Sequence, residues 1–510
     1  MRTEMKKFIY AISAAAMLLS SCSALDLGPI DQYGINNYWN TEAQCERFMI
    51  GLHYRLRTRM ETIMIMGELR GGTLSTSSIT SSGEGASNIA AVSNNLSVAN
   101  PCLTNWGNFY MDIYQINHAI DKIENACGFL DEATRKTYLG QLYGLRAFYY
   151  FHLLRTWGGV PLCDKPDVLI TDDLQVLDKP RATEQATWEF VCKSVEKSCE
   201  YYQDLGFDNF KGMNCYWNKA ASLCLKADVY LWGAKVKPIG GSAVLAPDPE
   251  KYLTDAKTAL EEVEPNYRYN ADFIDAFSVK NKDSNHETIL AARYMLGESK
   301  NYFVNFTYNP AIFTKFFDEN GKNIGNYLNI ESGYQRYEYS QEFYNSFAAG
   351  DKRRDASLYQ YYQKDNDSRL EPAGRFLCKF IGDEDNGRIQ FTNDVPIYRY
   401  MDVALMLAEI NNELGISGEV TKWIGVVRSR AFDTPQTFTY TDKDAAEEAI
   451  LAERKAEFVA ESKVWYDVRR MLGGKYALEL VGGNELKLLW PIDSGVLSKD
   501  DKVKQNEGYL

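Results

Sequence analysis

Residues 140–161 decide the fold, and they read GQLYGLRAFYYFHLLRTWGGVP. In and just before this stretch, apolar and aromatic residues recur every three or four positions, which places them on one face of a helix; they are Tyr138, Leu142, Leu145, Tyr149 and His152. The helix must stop at residues 157–161, because glycine adopts left-handed backbone at little cost and proline cannot continue the hydrogen-bond ladder. We therefore predict a long helix that packs against other helices and ends in a sharp turn.

Helical periodicity continues on both sides of this segment. Trp106, Tyr110, Ile113, Asn117 and Ile120 share one face. Further helices are predicted at about 42–59, with Thr41-x-x-Gln44 as a capping box, at 184–202, with Thr183 as N-cap, and at 217–235, 396–414, 417–431 and 444–472. Recurring antiparallel helix pairs predict a mainly α, tetratricopeptide-like array of helical pairs. Between residues 236 and 395 the periodicity fades, which predicts a large irregular insertion lobe.

The amino terminus resembles a lipoprotein signal peptide. Basic residues precede an apolar run that is too short to span a bilayer, and Leu19-Ser20-Ser21-Cys22 resembles a lipobox. We expect cleavage before Cys22 and acylation of that cysteine, which would anchor the chain to membrane lipid. The alternative is a plain signal peptide with an incidental cysteine. Residues 22–40 are expected to form an extended leader after the anchor.

Composition narrows the class of partner. The formal net charge of −13 disfavours nucleic acid. No later apolar run approaches the length of about 20 residues that a membrane-spanning helix needs. Apart from Cys22, nine cysteines remain, an odd number without the spacing of a disulfide framework. No cofactor or metal site is predicted, because the four histidines lack ligand spacing.

No catalytic motif is visible either. Glu453, Glu457 and Glu461 lie four residues apart on a predicted helix, and we interpret them as partners of buried arginines. Residues 382–393 faintly resemble a calcium loop, but both end positions lack a ligand, so a turn is predicted. A glycosidase needs two carboxylates across a cleft, which one helix face does not supply. We therefore expect a binding protein and not an enzyme.

The candidate ligand site lies in the insertion. Tyrosine offers an apolar face and a polar edge, which suits stacking on sugar rings, and nearby amides or arginines can bond the hydroxyls. The candidate residues are Tyr302, Asn305, Tyr334, Arg336, Tyr337 and Tyr339. The polar stretch 71–104, with Arg70 and Asn105 at its ends, is expected to form another wall. The alternative is that these aromatic rings pin the insertion to the scaffold.

Six segments, in chain order, resemble motifs of the SusD/RagB family of Bacteroidota outer-membrane lipoproteins. They are Trp106–Asn117, Gly140–Pro161, Asp394–Glu409, Val427–Ala431, Glu453–Arg470 and Trp490–Tyr509. The resemblance spans the mature chain from Cys22 onward. Ser462 departs from the usual glycine and Val464 from the usual arginine, and the segment after Arg70 lacks an aspartate often found there.

The resemblance implies about eight scaffold helices in four tetratricopeptide-like pairs. It implies a surface-exposed lipoprotein that binds an oligosaccharide and delivers it to a SusC-like TonB-dependent transporter. The alternatives are a peptide- or glycopeptide-binding member of the same family and a surface glycoside hydrolase.

The motifs also divide the chain into five parts. They are residues 1–21 (signal peptide), 22–40 (leader), 41–235 (N-terminal helical region), 236–395 (insertion lobe) and 396–510 (C-terminal helical region).

Overall fold

The computed structural model describes residues 38–76, 85–104, 106–166, 179–434 and 436–510. In chain order its longer helices are α1 (Glu42–Glu68), α2 (Gly85–Val92), α3 (Gly107–Asn125), α4 (Glu132–Trp157), α5 (Glu184–Tyr202), α6 (Lys219–Lys235) and α7 (Pro249–Val263). Three short helices follow, α8 (Pro310–Phe313), α9 (Gln341–Asn345) and α10 (Lys352–Ser357). The C-terminal helices are α11 (Tyr400–Glu413), α12 (Ser417–Ala431), α13 (Lys443–Glu457), α14 (Val464–Arg470), α15 (Lys475–Leu480) and α16 (Ser494–Leu497). The signal segment, Cys22 and most of the leader lie outside the described residues.

Local signals set the helix ends where the sequence predicted them. Gly158 has a φ of 77° and its N–H donates to the carbonyl of Leu154, so α4 ends at Trp157. The Thr183 hydroxyl accepts the N–H of Ala186 at the start of α5. The capping box at Thr41 is also confirmed, although α1 continues to Glu68, well beyond the predicted end.

Close helix packing depends on small residues in α4. A Cβ built on Gly144 would lie 2.0 Å from Nε1 of Trp217, and one on Gly140 would lie 2.5 Å from the Tyr202 ring. Trp217 is fully buried, so the bare glycine leaves the space that its indole occupies. This packing of sequential helices confirms the mainly α, tetratricopeptide-like fold.

The helical scaffold extends further along the chain than the sequence predicted. Residues 249–263 form α7, whose N-terminus is capped by Asp248 and which packs against α6. Its buried face includes the small residues Ala256 and Ala259, which makes its periodicity weak. The expectation of irregular structure from residue 236 onward is therefore wrong for residues 249–263.

The insertion is tied to the scaffold by a short antiparallel ladder. Strand β1 (Thr288–Ala292), where the chain enters the lobe, pairs with β6 (Val395–Arg399), where it leaves. Between them lie two hairpins, β2 (Leu358–Lys364) with β3 (Leu370–Leu377) and β4 (Asp383–Asp385) with β5 (Arg388–Gln390). The lobe is thus a closed excursion that leaves and rejoins the helices at one place.

A buried ionic network joins the lobe to the C-terminal helices. Arg399 lies 2.7 Å from Glu457, 2.8 Å from Glu461 and 2.9 Å from Glu287. Arg430 also contacts Glu287 and Glu457. These side chains are at most 1 % exposed, so the predicted arginine–carboxylate pairing is confirmed. The expectation that Glu453, Glu457 and Glu461 share one helix face is wrong, however, because α13 ends at Glu457 and Glu461 lies beyond it.

Candidate functional site

A surface cleft of about 400 Å³ lies where the insertion lobe meets the outer face of α1. Its floor and walls come from three segments of the chain, and we call it the α1–lobe cleft. The lining residues are Tyr54, Arg57, Thr58, Glu61, Tyr294, Ser299, Lys300, Asn301, Tyr302, Val304, Asn305, Tyr334 and Arg336. Four of the sequence-predicted ligand residues are therefore brought together here.

Helix α1 supplies one wall. Tyr54 is 56 % exposed, which leaves its ring available to a ligand. The guanidinium of Arg57 lies 4.6 Å from the centre of that ring and 2.8 Å from the carboxylate of Glu298. The hydroxyl of Tyr294 donates to the Arg57 carbonyl at 3.1 Å, which fixes the following loop to the helix.

Two segments of the lobe, about thirty residues apart, supply the other wall. The N–H of Tyr334 donates to the carbonyl of Val304, and that of Tyr337 donates to the carbonyl of Asn305. These bonds hold Tyr334 at the cleft edge, where its ring is 52 % exposed. The guanidinium of Arg336 lies 5.3 Å from the centre of the Tyr334 ring.

Asn305 and Tyr302 lie deeper in the cleft. Asn305 is mostly buried, and its Nδ2 donates to Glu61 on α1 at 2.9 Å, so this bond crosses the cleft between lobe and helix. Tyr302 packs against Phe303 with 4.8 Å between ring centres. Burial raises the pKa of Tyr302 well above its ordinary value, so the phenol stays protonated. Only a small part of Tyr302 faces the cleft, so this residue forms the bottom of the cleft and its ring is not available to stack on a ligand.

Three predicted residues are interior, which corrects their expected exposure. Tyr337 is 2 % exposed and packs on Phe306 with 5.0 Å between ring centres. Tyr339 is equally buried, and its hydroxyl donates to Glu68 at 2.8 Å. Arg70 is fully buried and donates to the backbone carbonyls of residues 487–489. These groups stabilise the fold and cannot stack on a ligand at the surface.

The described residues of the polar stretch 71–104 do not line the α1–lobe cleft. Residues 73–75 instead bond to residues 338–340 of the lobe. Residues 77–84 and the predicted ligand residue Asn105 lie outside the described residues. Among the described residues, α1 supplies the wall opposite the lobe.

Sequence reasoning missed Tyr54. Buried apolar residues of α1 lie on one side of the helix, at Leu52, Leu56, Met60 and Ile63. Tyr54 falls on the opposite, polar face of α1, where its ring is 56 % exposed and lines the cleft. The helical spacing of residues 52–63 shows this pattern in the sequence, but the predicted site residues come from the insertion and from the ends of the stretch 71–104.

The α1–lobe cleft combines aromatic rings with polar groups of both charges. Its lining cations are Arg57, Lys300 and Arg336, and its carboxylate is Glu61. The exposed rings of Tyr54 and Tyr334 can pack against apolar ring faces, while the amides and charged groups can bond hydroxyls. Among the described lining residues one carboxylate is present, which does not make the pair that glycoside hydrolysis requires.

A second cleft of about 470 Å³ lies between α9, α10 and α13, and it differs in character. Its lobe-side rings, Phe343 and Phe347, are at most 9 % exposed, and the hydroxyl of Tyr476 is held by Glu448. Among its described lining residues, this cleft therefore offers one partly exposed ring, Tyr476, and lacks the two half-exposed rings of the α1–lobe cleft. The α1–lobe cleft is the stronger candidate for ligand binding.

In the described part of the chain, no group of three or more His, Cys, Asp or Glu side chains is placed to hold a metal ion. No helix within the same residues combines the length and apolarity needed to cross a bilayer.

Comparison with known families gives two matches. Residues 364–485 match the SusD family, and residues 59–231 match the family described as starch-binding associating with outer membrane. SusD-like protein P38 of Formosa agariphila is 24% identical over 537 residues, covering 99% of this chain and 100% of its own.

Solved structures extend the similarity over nearly the whole molecule. A SusD superfamily protein from Bacteroides fragilis NCTC 9343 is 34% identical, with a TM-score of 0.83, covering 93% of this chain and 100% of its own. NanU of B. fragilis is 30% identical, with a TM-score of 0.82, covering 95% and 100%. Together with the helical scaffold and its ordered motifs, these similarities show that the chain belongs to the SusD/RagB family.

Proposed function

We propose that this protein captures an oligosaccharide in the α1–lobe cleft and delivers it to a SusC-like TonB-dependent transporter. The observation that carries the proposal is the pair of half-exposed rings, Tyr54 and Tyr334, on opposite walls of one cleft. What distinguishes these two rings from other exposed tyrosines is that they face one cleft from opposite sides, where the C–H faces of a sugar can pack against both. Family membership supports the choice of a glycan.

The polar lining suits a sugar's hydroxyl groups. Arg336, beside the Tyr334 ring, and Asn305, deeper in the cleft, can bond hydroxyls while the rings hold the apolar faces. The ligand would be bound without chemical change, because Glu61 has no second lining carboxylate opposite it among the described residues. The proposal is therefore for a non-enzymatic binding protein.

The proposed membrane anchor rests on the amino-terminal sequence, and the proposed transporter partner rests on membership of the family. Acylated Cys22 would hold the chain in the outer membrane, with residues 22–40 as leader. The helical regions 41–235 and 396–510, together with α7, would form the scaffold that meets the transporter, while the lobe holds the ligand. Copurification with a transporter encoded by a neighbouring gene would test this arrangement.

The ligand site is tested by calorimetry on two single variants. A glycan array identifies the tightest-binding oligosaccharide, which is then titrated into the parent, Tyr54→Ala and Tyr334→Ala proteins. Loss of one stacking ring should cost about 0.5–1.5 kcal/mol, a roughly twofold to twelvefold weaker affinity. Both side chains are about half exposed, so thermal melting should be unchanged.

Tyr327 supplies a matched control. It is 50 % exposed on the same lobe and contacts Tyr359, but it does not line the α1–lobe cleft. Tyr327→Ala should bind the glycan as the parent does. Equal affinity of all three variants and the parent would overturn the site. Binding to a peptide library with no binding to the glycan array would favour the peptide alternative.

A further inference from the structure

Two buried cysteines meet near the start of α1. Cys45 lies in the first turn of that helix, and Cys127 lies two residues after the end of α3. Their Sγ atoms are 3.6 Å apart, and both residues are fully buried. They are 82 residues apart in sequence, so the contact is made by the tertiary fold.

The surroundings give these thiols no other evident role. Cys127 also approaches the carbonyl of Trp39 at 3.9 Å, and within the described residues neither thiol belongs to a group that could hold a metal ion. A disulfide has an S–S separation of about 2.05 Å, so the two sulfurs, now in contact at 3.6 Å, must move closer by about 1.5 Å for the bond to form. The pair is thus placed for oxidation.

We infer that Cys45 and Cys127 form a disulfide while the exported chain folds. The inference uses the export step of the proposed function, because disulfides form and persist outside the cytoplasm. The oxidant is an oxidised dithiol carrier of the thiol–disulfide exchange class. One cysteine thiolate attacks the carrier disulfide, and the other resolves the mixed disulfide; the two cysteines lose two protons and two electrons, and the carrier leaves as a dithiol.

Burial determines when the bond can form. It raises the pKa of the Cys45 thiol to about 12 and also raises that of Cys127. In the folded protein almost no thiolate is present at neutral pH, so exchange is slow. The bond must therefore form before the helices close over it, and afterwards it should resist reductants that cannot unfold the protein.

The bond would fasten the membrane-proximal end of α1. The leader reaches the scaffold at Trp39, whose indole donates to His118 on α3 at 3.2 Å. A covalent link between Cys45 and Cys127 joins α1 to the end of that same helix. Since α1 also carries Tyr54, the link holds one wall of the α1–lobe cleft against pull from the anchor.

Peptide mapping tests the bond directly. The lipoprotein is purified from outer membranes in detergent, its free thiols are alkylated under denaturing, non-reducing conditions, and it is cut after glutamate. Cys45 then lies in residues 43–46 and Cys127 in residues 125–132. We expect these two peptides to be recovered as one linked species that separates on reduction. Recovery of both in alkylated form would overturn the inference.

A second measurement distinguishes a disulfide from a packing contact. Cys45→Ala and Cys127→Ala should each lower the melting temperature of the exported protein, and the double variant should fall no further than the single ones. Cys192→Ala, at another buried cysteine, should lower the melting temperature equally in exported protein and in mature chain made in a reducing cytoplasm. The Cys45→Ala and Cys127→Ala variants should lower the melting temperature more in exported protein than in the cytoplasmic chain. If the fall in melting temperature is the same in both preparations, the bond is absent. Glycan binding is measured separately, so failure of the proposed function remains distinguishable.

Discussion

Replacing Glu457 by glutamine should strongly destabilise the protein. Glu457 is the last residue of α13 and is fully buried. Its carboxylate accepts hydrogen bonds from the guanidiniums of Arg399 at 2.7 Å and Arg353 at 3.3 Å. Arg430 makes a third contact. Glutamine keeps the shape of the side chain but removes its charge and turns an N–H₂ group toward guanidiniums that can only donate.

The size of the effect follows from burial. Removing one member of a buried ion pair costs about 3–5 kcal/mol, because the opposite charge is left without compensation. Here three guanidiniums share the lost carboxylate, although Arg399 keeps Glu461 and Glu287. We therefore expect a loss near the lower end, about 3 kcal/mol, which is a large part of the 5–15 kcal/mol typical of a folded protein.

Urea denaturation of parent and variant measures the loss. Glu419→Gln is the control, since Glu419 pairs with Lys422 at 3.0 Å on the exposed face of α12 and should change stability by less than about 1 kcal/mol. If Glu457→Gln costs no more than this control, the buried network does not stabilise the fold as argued.

The pH dependence gives an independent check. Burial raises the pKa of Glu457, but Arg430, Arg399 and Arg353 outweigh it and hold the pKa well below its ordinary value. For Glu461, Arg399 and Lys379 likewise outweigh burial and lower the pKa to about 2. Depressed carboxylate pKa values contribute stability that is present above the unfolded value near 4.5 and is lost as pH falls toward 2. The parent should lose stability across this window, and Glu457→Gln should lose less.

Three further outcomes are expected. Gly144→Ala should cost about 1–3 kcal/mol in urea denaturation, because the added methyl overlaps the indole of Trp217; an unchanged midpoint would contradict the close packing. Ser462→Gly should raise stability by up to about 1 kcal/mol, because Ser462 has a φ of 66°, and a lower melting temperature would show that the serine side chain contributes more than the strain costs. Cys22→Ala should move the protein from the membrane to the soluble fraction, and full retention in membranes would refute acylation at that residue.

The scaffold could be predicted where the signals are local. Thr41, Thr183 and Gly158 act within one helical turn, so their effects are visible in sequence. The break after Glu457 could not be predicted, because Ala460 and Ser462 adopt positive φ without being glycine. Distant partners impose that conformation: the N–H of Ser462 donates to Glu68 on α1, and Glu461 pairs with Arg399.

The candidate site could be predicted only in part for a related reason. Spacing suggested that Tyr334, Tyr337 and Tyr339 behave alike, but spacing does not say which face of an irregular segment is covered. Tyr339 turns inward because Glu68 accepts its hydroxyl, and Tyr334 stays outside. Partners so far apart in sequence leave no local pattern.

Helix α1 links the scaffold, the lobe and the cleft. Glu68, the last residue of the helix, accepts a hydrogen bond from the Tyr339 hydroxyl of the lobe. The middle of the helix carries Tyr54, and there the Arg57 carbonyl accepts a hydrogen bond from the Tyr294 hydroxyl. The backbone that presents Tyr54 is therefore fixed when the protein folds and not when a ligand arrives. Pre-organisation of this kind lowers the conformational entropy lost on binding, so a shallow cleft with two rings can hold a flexible glycan. The same rigidity means that a change at Glu68, remote from the ligand, should weaken binding through the position of α1.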